Sequence, residues 1–148
     1  MKQELDELLC TKYPKMMVNR NSPMQETCMC WGFDCGDGWF NILDQLMGNI
    51  QNHIDWNNKN FEKGYAQYKQ VPQVTLDQVK EKFGTLRFYY TGGDDVIDGM
   101  VRMAESMSGV TCEECGSPGK RVGGGWITTL CEEHATARSI VYNDEGNE

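Results

Sequence analysis

No stretch of this chain approaches the ~20 consecutive apolar residues that a membrane-spanning helix needs, so no membrane role is expected. The N-terminal MKQELDELLC is charged and helix-forming rather than signal-like. Histidine is scarce, with only His53 and His134 present, which leaves few proton carriers for acid–base chemistry near neutral pH. Basic residues are also in deficit, 14 Lys and Arg against 22 Asp and Glu, for a net charge of −8. Generic nucleic-acid binding requires a basic surface that displaces phosphate counterions, and this composition disfavours it. Repeats and low-complexity tracts are absent. The expectation is a soluble intracellular protein whose acidic surface suits protein partners or simply keeps it in solution.

Cysteine, by contrast, is plentiful: seven residues, three of them in one frame. Cys112-x-x-Cys115 is followed fifteen residues later by Cys131-x-x-His134. Two tight pairs of soft, deprotonatable donors are what a tetrahedral Zn²⁺ requires, and all four positions are filled by protein, the mark of a closed structural site. Gly116 permits the positive φ of a metal knuckle. Lys120 to Val122 and Trp126 to Thr129 read as a short hairpin turning on Gly123 to Gly125. A helix opening at Cys131 and running toward Val141 would carry the second ligand pair. Knuckle, hairpin and ligand-bearing helix describe a treble-clef-like zinc finger.

Upstream, Leu5, Leu8 and Leu9 predict a helix over 2–11, and 15–38 reads as irregular. Asp37 is a candidate N-cap for a helix over 38–58, with Phe40, Leu43, Met47, Ile50 and Ile54 on its core face. The polar stretch to Gln70 reads as loop or fraying helix. Val71–Lys80 and Thr85–Tyr90 form an antiparallel hairpin with Gly84 at the turn. Thr91 to Asp95 caps a helix over 95–108 that buries Ile97, Val101 and Ala104 and stops at Gly109. The fold class is α+β: a helix-flanked antiparallel β-hairpin over 1–109, and a zinc finger with a polar tail over 110–148. The two share one core, and the tail from Asn143 is loose.

Five other constellations compete for a function. Cys28, Cys30 and Cys35, with Cys10 or His53, have spacing that only weakly suggests a second metal, and free thiols are the plainer reading. Cys35 could be a nucleophile with His53 as its base. Gly92-Gly-Asp-Asp95 resembles the metal-binding acidic loop of palm-type polymerases, but its place between strand and helix favours a helix cap. Lys80 to Tyr90 alternates bases with aromatics, as single-strand binders do, although an amphipathic hairpin explains it. Trp31, Phe33 and Trp39 around a Gly/Asp loop make a candidate binding surface.

Phe33-Asp-Cys-Gly-Asp-Gly-Trp39, Val79-Lys-Glu-Lys-Phe-Gly-Thr-Leu-Arg-Phe-Tyr89, Cys112-Glu-x-Cys-Gly-x-Pro-Gly119 and Gly125-Trp-x-Thr-x-Leu-Cys-x-x-His134 together resemble a family of small zinc-finger-containing proteins from tailed bacteriophages and prophages. The resemblance spans roughly residues 30–135 and implies an origin and a host cell more than a mechanism. It implies an accessory protein of the host bacterial cytoplasm that binds a host protein, such as a defence component. The finger also loosely resembles that of DksA/TraR-type transcription factors, departing at His134 and in lacking a long coiled coil. The expected function is a zinc-binding, non-enzymatic modulator of a bacterial host protein. Its metal ligands are Cys112, Cys115, Cys131 and His134, and its partner-binding residues Trp31, Asp34, Asp37, Trp39, Glu113 and Glu114. One alternative is a nucleic-acid-binding regulator using the finger with Lys80, Lys82, Arg87, Lys120 and Arg121. Another is a nucleotide-binding or nucleotide-processing protein using the Asp34–Trp39 loop.

Overall fold

The computed structural model describes residues 1–142. Its elements run α1 (Gln3–Lys12), β1 (Phe33–Asp34), α2 (Phe40–Glu62), β2 (Thr75–Lys82), β3 (Thr85–Thr91), α3 (Asp95–Ser108), β4 (Lys120–Val122), β5 (Thr128–Leu130) and α4 (Glu132–Ala137). Tight 3-10 turns cover Cys28–Trp31 and Asp37–Trp39. The α+β class and the antiparallel β2–β3 hairpin agree with the sequence pattern. The tail from Asn143 lies outside the described residues.

The hairpin turns on Phe83 and Gly84, both at positive φ (53° and 81°), as a two-residue type I′ turn demands. Gly84 adopts this region freely; Phe83 does so under strain. The Glu81 carboxylate accepts from the Gly84 amide at 2.7 Å and closes the turn. Asp77 is an extra residue between the pairs Leu76↔Tyr90 and Gln78↔Tyr89. This bulge turns Leu76 and Val79 into the core although they are three apart. β1 adds a short parallel strand, pairing Phe33 with Val79 and Asp34 with Lys80. The other edge is covered by α3, where Ser108 Oγ and a Glu105 carboxylate oxygen accept the Leu86 and Phe88 amides at 2.8 and 3.2 Å.

Helix α2 buries Leu43, Leu46, Met47, Ile50 and Ile54 and runs four residues beyond the expected end at 58. Its polar end has a tertiary partner: the Asn58 side chain both donates to and accepts from the Val71 backbone, at 3.0 and 2.7 Å. That clamp holds 71–74 extended with Val71 and Val74 buried, so the strand proper starts at Thr75 rather than at Val71. Asp37 does not cap α2. It lies in the preceding 3-10 turn, and its carboxylate accepts from the Lys2 amide at 2.7 Å. Asp94 does cap α3, accepting from Ile97 N at 3.0 Å, which accounts for the Gly-Gly-Asp-Asp motif.

Among the described residues, buried apolar side chains form two clusters rather than the one expected. The larger spans α1 to α3 and centres on Trp39, Leu43, Met47, Ile50, Leu76, Val79, Leu86 and Ile97. The smaller holds only Cys112, Val122, Leu130 and Ala135. Polar contacts join them.

Candidate metal centre

The C-terminal module is assembled from three short pieces. Gly116 N bonds back to Cys112 O at 2.9 Å, and Cys112 N to Ser117 O at 2.7 Å, which folds the 112–115 knuckle on itself. β4 and β5 pair in register Lys120↔Leu130 to Val122↔Thr128. Cys131 occupies the cap position of α4, whose first turn carries His134. The helix ends at Ala137, short of the expected Val141, with Ser139 at φ 58°.

These pieces bring the Cys112, Cys115 and Cys131 sulfurs and a His134 ring nitrogen within 4.8 Å of one another. Cys115 Sγ lies 3.8 Å from Cys131 Sγ, and His134 Nδ1 lies 3.6 Å from Cys112 Sγ and 3.1 Å from Cys131 Sγ. A tetrahedral ion with sulfur ligands at about 2.3 Å and nitrogen at about 2.0–2.1 Å has edges near ~3.8 Å and ~3.6 Å. The donors therefore fit a metal ion. The far ring nitrogen, Nε2, faces a Glu114 carboxylate oxygen at 3.3 Å, and Glu114 also pairs with Arg138. A carboxylate on Nε2 orients the ring and leaves Nδ1 for the metal. Hydrogen bonds from the Ser117 hydroxyl and amide pull the Cys115 thiol down to about 6, favouring the ligating thiolate. Cys131 is pushed the other way: the His134 amide lowers it, but desolvation and the two neighbouring sulfurs outweigh that bond. Crowded thiols of this kind resist ionising together unless a cation neutralises them.

The expected partner-binding residues are not brought together as one surface. Trp31 is 66% exposed and Asp34 is exposed. Trp39, however, is fully buried, and its indole N–H donates to Thr111 O at 2.9 Å. It is a core residue that reaches across to the metal module, which corrects its assignment to a partner surface. Asp37 is held by Lys2. Glu113 turns inward, where its side chain accepts from Gly36 N at 2.9 Å and its carbonyl from Gly38 N at 2.7 Å. Burial raises the Glu113 carboxyl, partly offset by the Gly36 amide. Adjacent glutamates thus do different work: Glu113 docks the knuckle on the 36–38 loop, and Glu114 orients His134.

The sequence reading missed this docking. A Cβ on Gly36 would stand 2.2 Å from Glu113 O, and one on Gly38 would stand 2.1 Å from Cys112 O. Only glycine lets the loop lie against the knuckle. The Gly-Asp-Gly spacing was the available signal, and it reads as flexibility until its partner is known. Thr129 Oγ1 completes the junction by donating to Gly84 O.

The competing chemistry does not assemble. His53 Nε2 meets Asp94 at 2.8 Å, with Asn57 on its other nitrogen at 3.2 Å. Burial pushes the Cys35 thiol up to about 12, which makes it a poor nucleophile. Cys10 and Cys30 hydrogen-bond locally, to Asp6 and to Thr27 O. Among the described residues, the 112–134 group is the only metal-capable cluster. A 380 Å³ groove between α2 and α3 is lined by Ile42, Leu46, Met100, Met103, Ala104, Met107 and three side-chain amides, with no titratable group. No described helix is long and apolar enough to cross a membrane.

No protein-family model, curated protein or solved structure matches the chain.

Proposed function

We propose that this is a non-enzymatic binding protein of bacteriophage type, braced by a structural Zn²⁺ in a treble-clef-like finger, which acts on a bacterial host protein in the host cytoplasm. One observation carries the non-catalytic reading. All four donors come from protein side chains, and the free nitrogen of His134 is spent on Glu114, so no position is left for a substrate or a reactive water. Bound there, Zn²⁺ would supply folding energy to a module that, among its described residues, buries only four apolar side chains. The motif resemblance supports the phage origin, and a defence component is the host target we favour. Exposed Trp31 and Asp34 supply contact residues on the 31–39 loop.

The test is a tagged pull-down from bacterial lysate with mass spectrometry, run beside Cys131→Ser and Asp34→Lys variants. One host protein captured stoichiometrically by the wild type, and weakened by both variants, is the expected result. Capture by the wild type that survives Asp34→Lys would reject this surface. Capture of nothing from a lysate containing the defence machinery would reject the host-protein reading.

A further inference from the structure

The tips of the two hairpins lie side by side. Arg121 on β4 donates a guanidinium N–H to Phe83 O at 2.8 Å, and Gly84 packs against Ile127 and Thr128, where a Cβ would come within 3.2 Å of the Ile127 side chain. This junction presents two aromatic rings to solvent, Phe83 at 60% exposure and Trp126 at 79%. Neither position suits its residue on folding grounds. Phe83 holds a strained left-handed conformation where Asn or Gly would be relaxed. Trp126 follows three consecutive glycines and buries almost nothing.

The charges beside them are equally unfavourable for the isolated fold. Lys80 and Arg87 are direct cross-strand partners on the sheet face turned away from the core, and Lys82 follows on the same face. Like charges directly opposite one another destabilise a sheet. Lys2, Lys12, Lys15, Arg20 and Arg138 each pair with a carboxylate. Among the described residues Lys80, Lys82, Arg87 and Arg121 form no ion pair, in a chain where acids outnumber bases 22 to 14. The one acid that the strand register sets on this face, Asp34 beside Lys80, makes no ion pair with it.

We propose that this junction is a binding site for single-stranded nucleic acid, with Phe83 and Trp126 stacking on bases and Lys80, Lys82, Arg87 and Arg121 meeting phosphates. Exposed rings beside unneutralised bases match the two surfaces of a single strand, whereas a duplex would hide its bases from the rings. The net charge of −8 does not oppose this, because salt limits interactions to about 8–10 Å and the local surface decides. The site goes beyond the protein-partner reading and does not depend on it. The metal module takes part by holding Arg121 and Ile127, the neighbour of Trp126, against the hairpin tip.

Fluorescence anisotropy of a labelled 20-nucleotide oligothymidylate, titrated with the zinc-loaded full chain, tests the proposal. Saturable binding is expected, weakening about 50-fold between 50 and 200 mM salt if four phosphates are neutralised. Phe83→Asn and Trp126→Ala should each weaken binding roughly tenfold. Phe83→Asn should also raise the melting temperature by relieving the turn, so lost binding cannot be blamed on lost folding. Lys80→Gln with Arg87→Gln should flatten the salt dependence. No binding at 50 mM salt, equal affinity for a duplex of the same length, or unchanged affinity in Phe83→Asn and Trp126→Ala would each overturn it. Equal binding of a poly-glutamate peptide with the same variant pattern would overturn it in favour of an acidic protein partner.

Discussion

The larger unit and the C-terminal module solve the same problem by different means. From α1 to α3 the chain buries a continuous apolar cluster around fully buried Trp39, so solvent exclusion holds it together. Residues 110–142 bury four apolar side chains, one of them a metal ligand, and a core that small does not compensate the entropy of ordering the backbone. Four donors converging on one point replace it. The contrast teaches that the two parts should fail separately, and that the loop at Gly36–Gly38 decides how far failure in one reaches the other.

The largest expected effect is on the module. Structural zinc contributes on the order of 10–16 kcal/mol of apparent binding energy that is also folding energy. Cys131→Ser, or chelation of the wild type, should unfold 110–142 while α2 and β2–β3 stay protected. Hydrogen exchange read by mass spectrometry, with zinc content measured in parallel, reports both. Full zinc content and unchanged protection in Cys131→Ser would contradict the assignment.

Next comes the core. Trp39→Ala should cost about 3–5 kcal/mol through the cavity it leaves. It also strips the indole donor from Thr111 O. Chemical denaturation should show the main transition shifted strongly while metal binding survives at low temperature. Loss of the metal together with the core would mean that the module cannot stand without its support.

Local patterns made much of this legible, and their limits are physical. Helix α3 could be read because Ile97, Val101 and Ala104 recur at helical spacing behind a capping Asp94. The ligand frame could be read because the donors of each pair are separated by just two residues and serve one ion. β1 was not legible: it is two residues long, and its pairing with Val79 and Lys80 is across the chain. Helix α2 outran its apolar stripe because Asn58 finds Val71 thirteen residues on, a contact that no periodicity encodes. Trp39 looked like a surface aromatic because a Gly/Asp loop surrounds it. Its burial follows from the glycines packing on a knuckle more than seventy residues away.

Gly38→Ala probes that joint directly. The new methyl would collide with the Cys112 carbonyl, which is backbone and cannot rotate aside. Overpacking of this kind costs about 1–3 kcal/mol. The cost should fall on the coupling rather than on either part. Calorimetry should resolve two transitions further apart than in the wild type, with zinc content retained. A single transition displaced as a whole would show that the halves remain one cooperative unit.

The smallest effect concerns the link between α2 and α3. Burial alone would raise the Asp94 carboxyl, but hydrogen bonds from His53 and the Ile97 amide outweigh it and hold the group below its usual value. An acid whose folded pKa is depressed adds stability above its unfolded value of about 3.9, and that stability is lost as pH falls through the lower folded value. Asp94→Ala should therefore cost about 1 kcal/mol near pH 7, the usual worth of an N-cap, and the gap to wild type should narrow, without closing, on acidification below about pH 4. Asp94→Asn separates the two contributions, since the amide oxygen still accepts from Ile97 N but carries no charge for His53. Its melting temperature should lie between wild type and Asp94→Ala at pH 7 and meet the wild type in acid. A gap to Asp94→Ala that stays constant from pH 7 to pH 3 would assign the stabilisation to backbone geometry and remove charge from the α2–α3 contact.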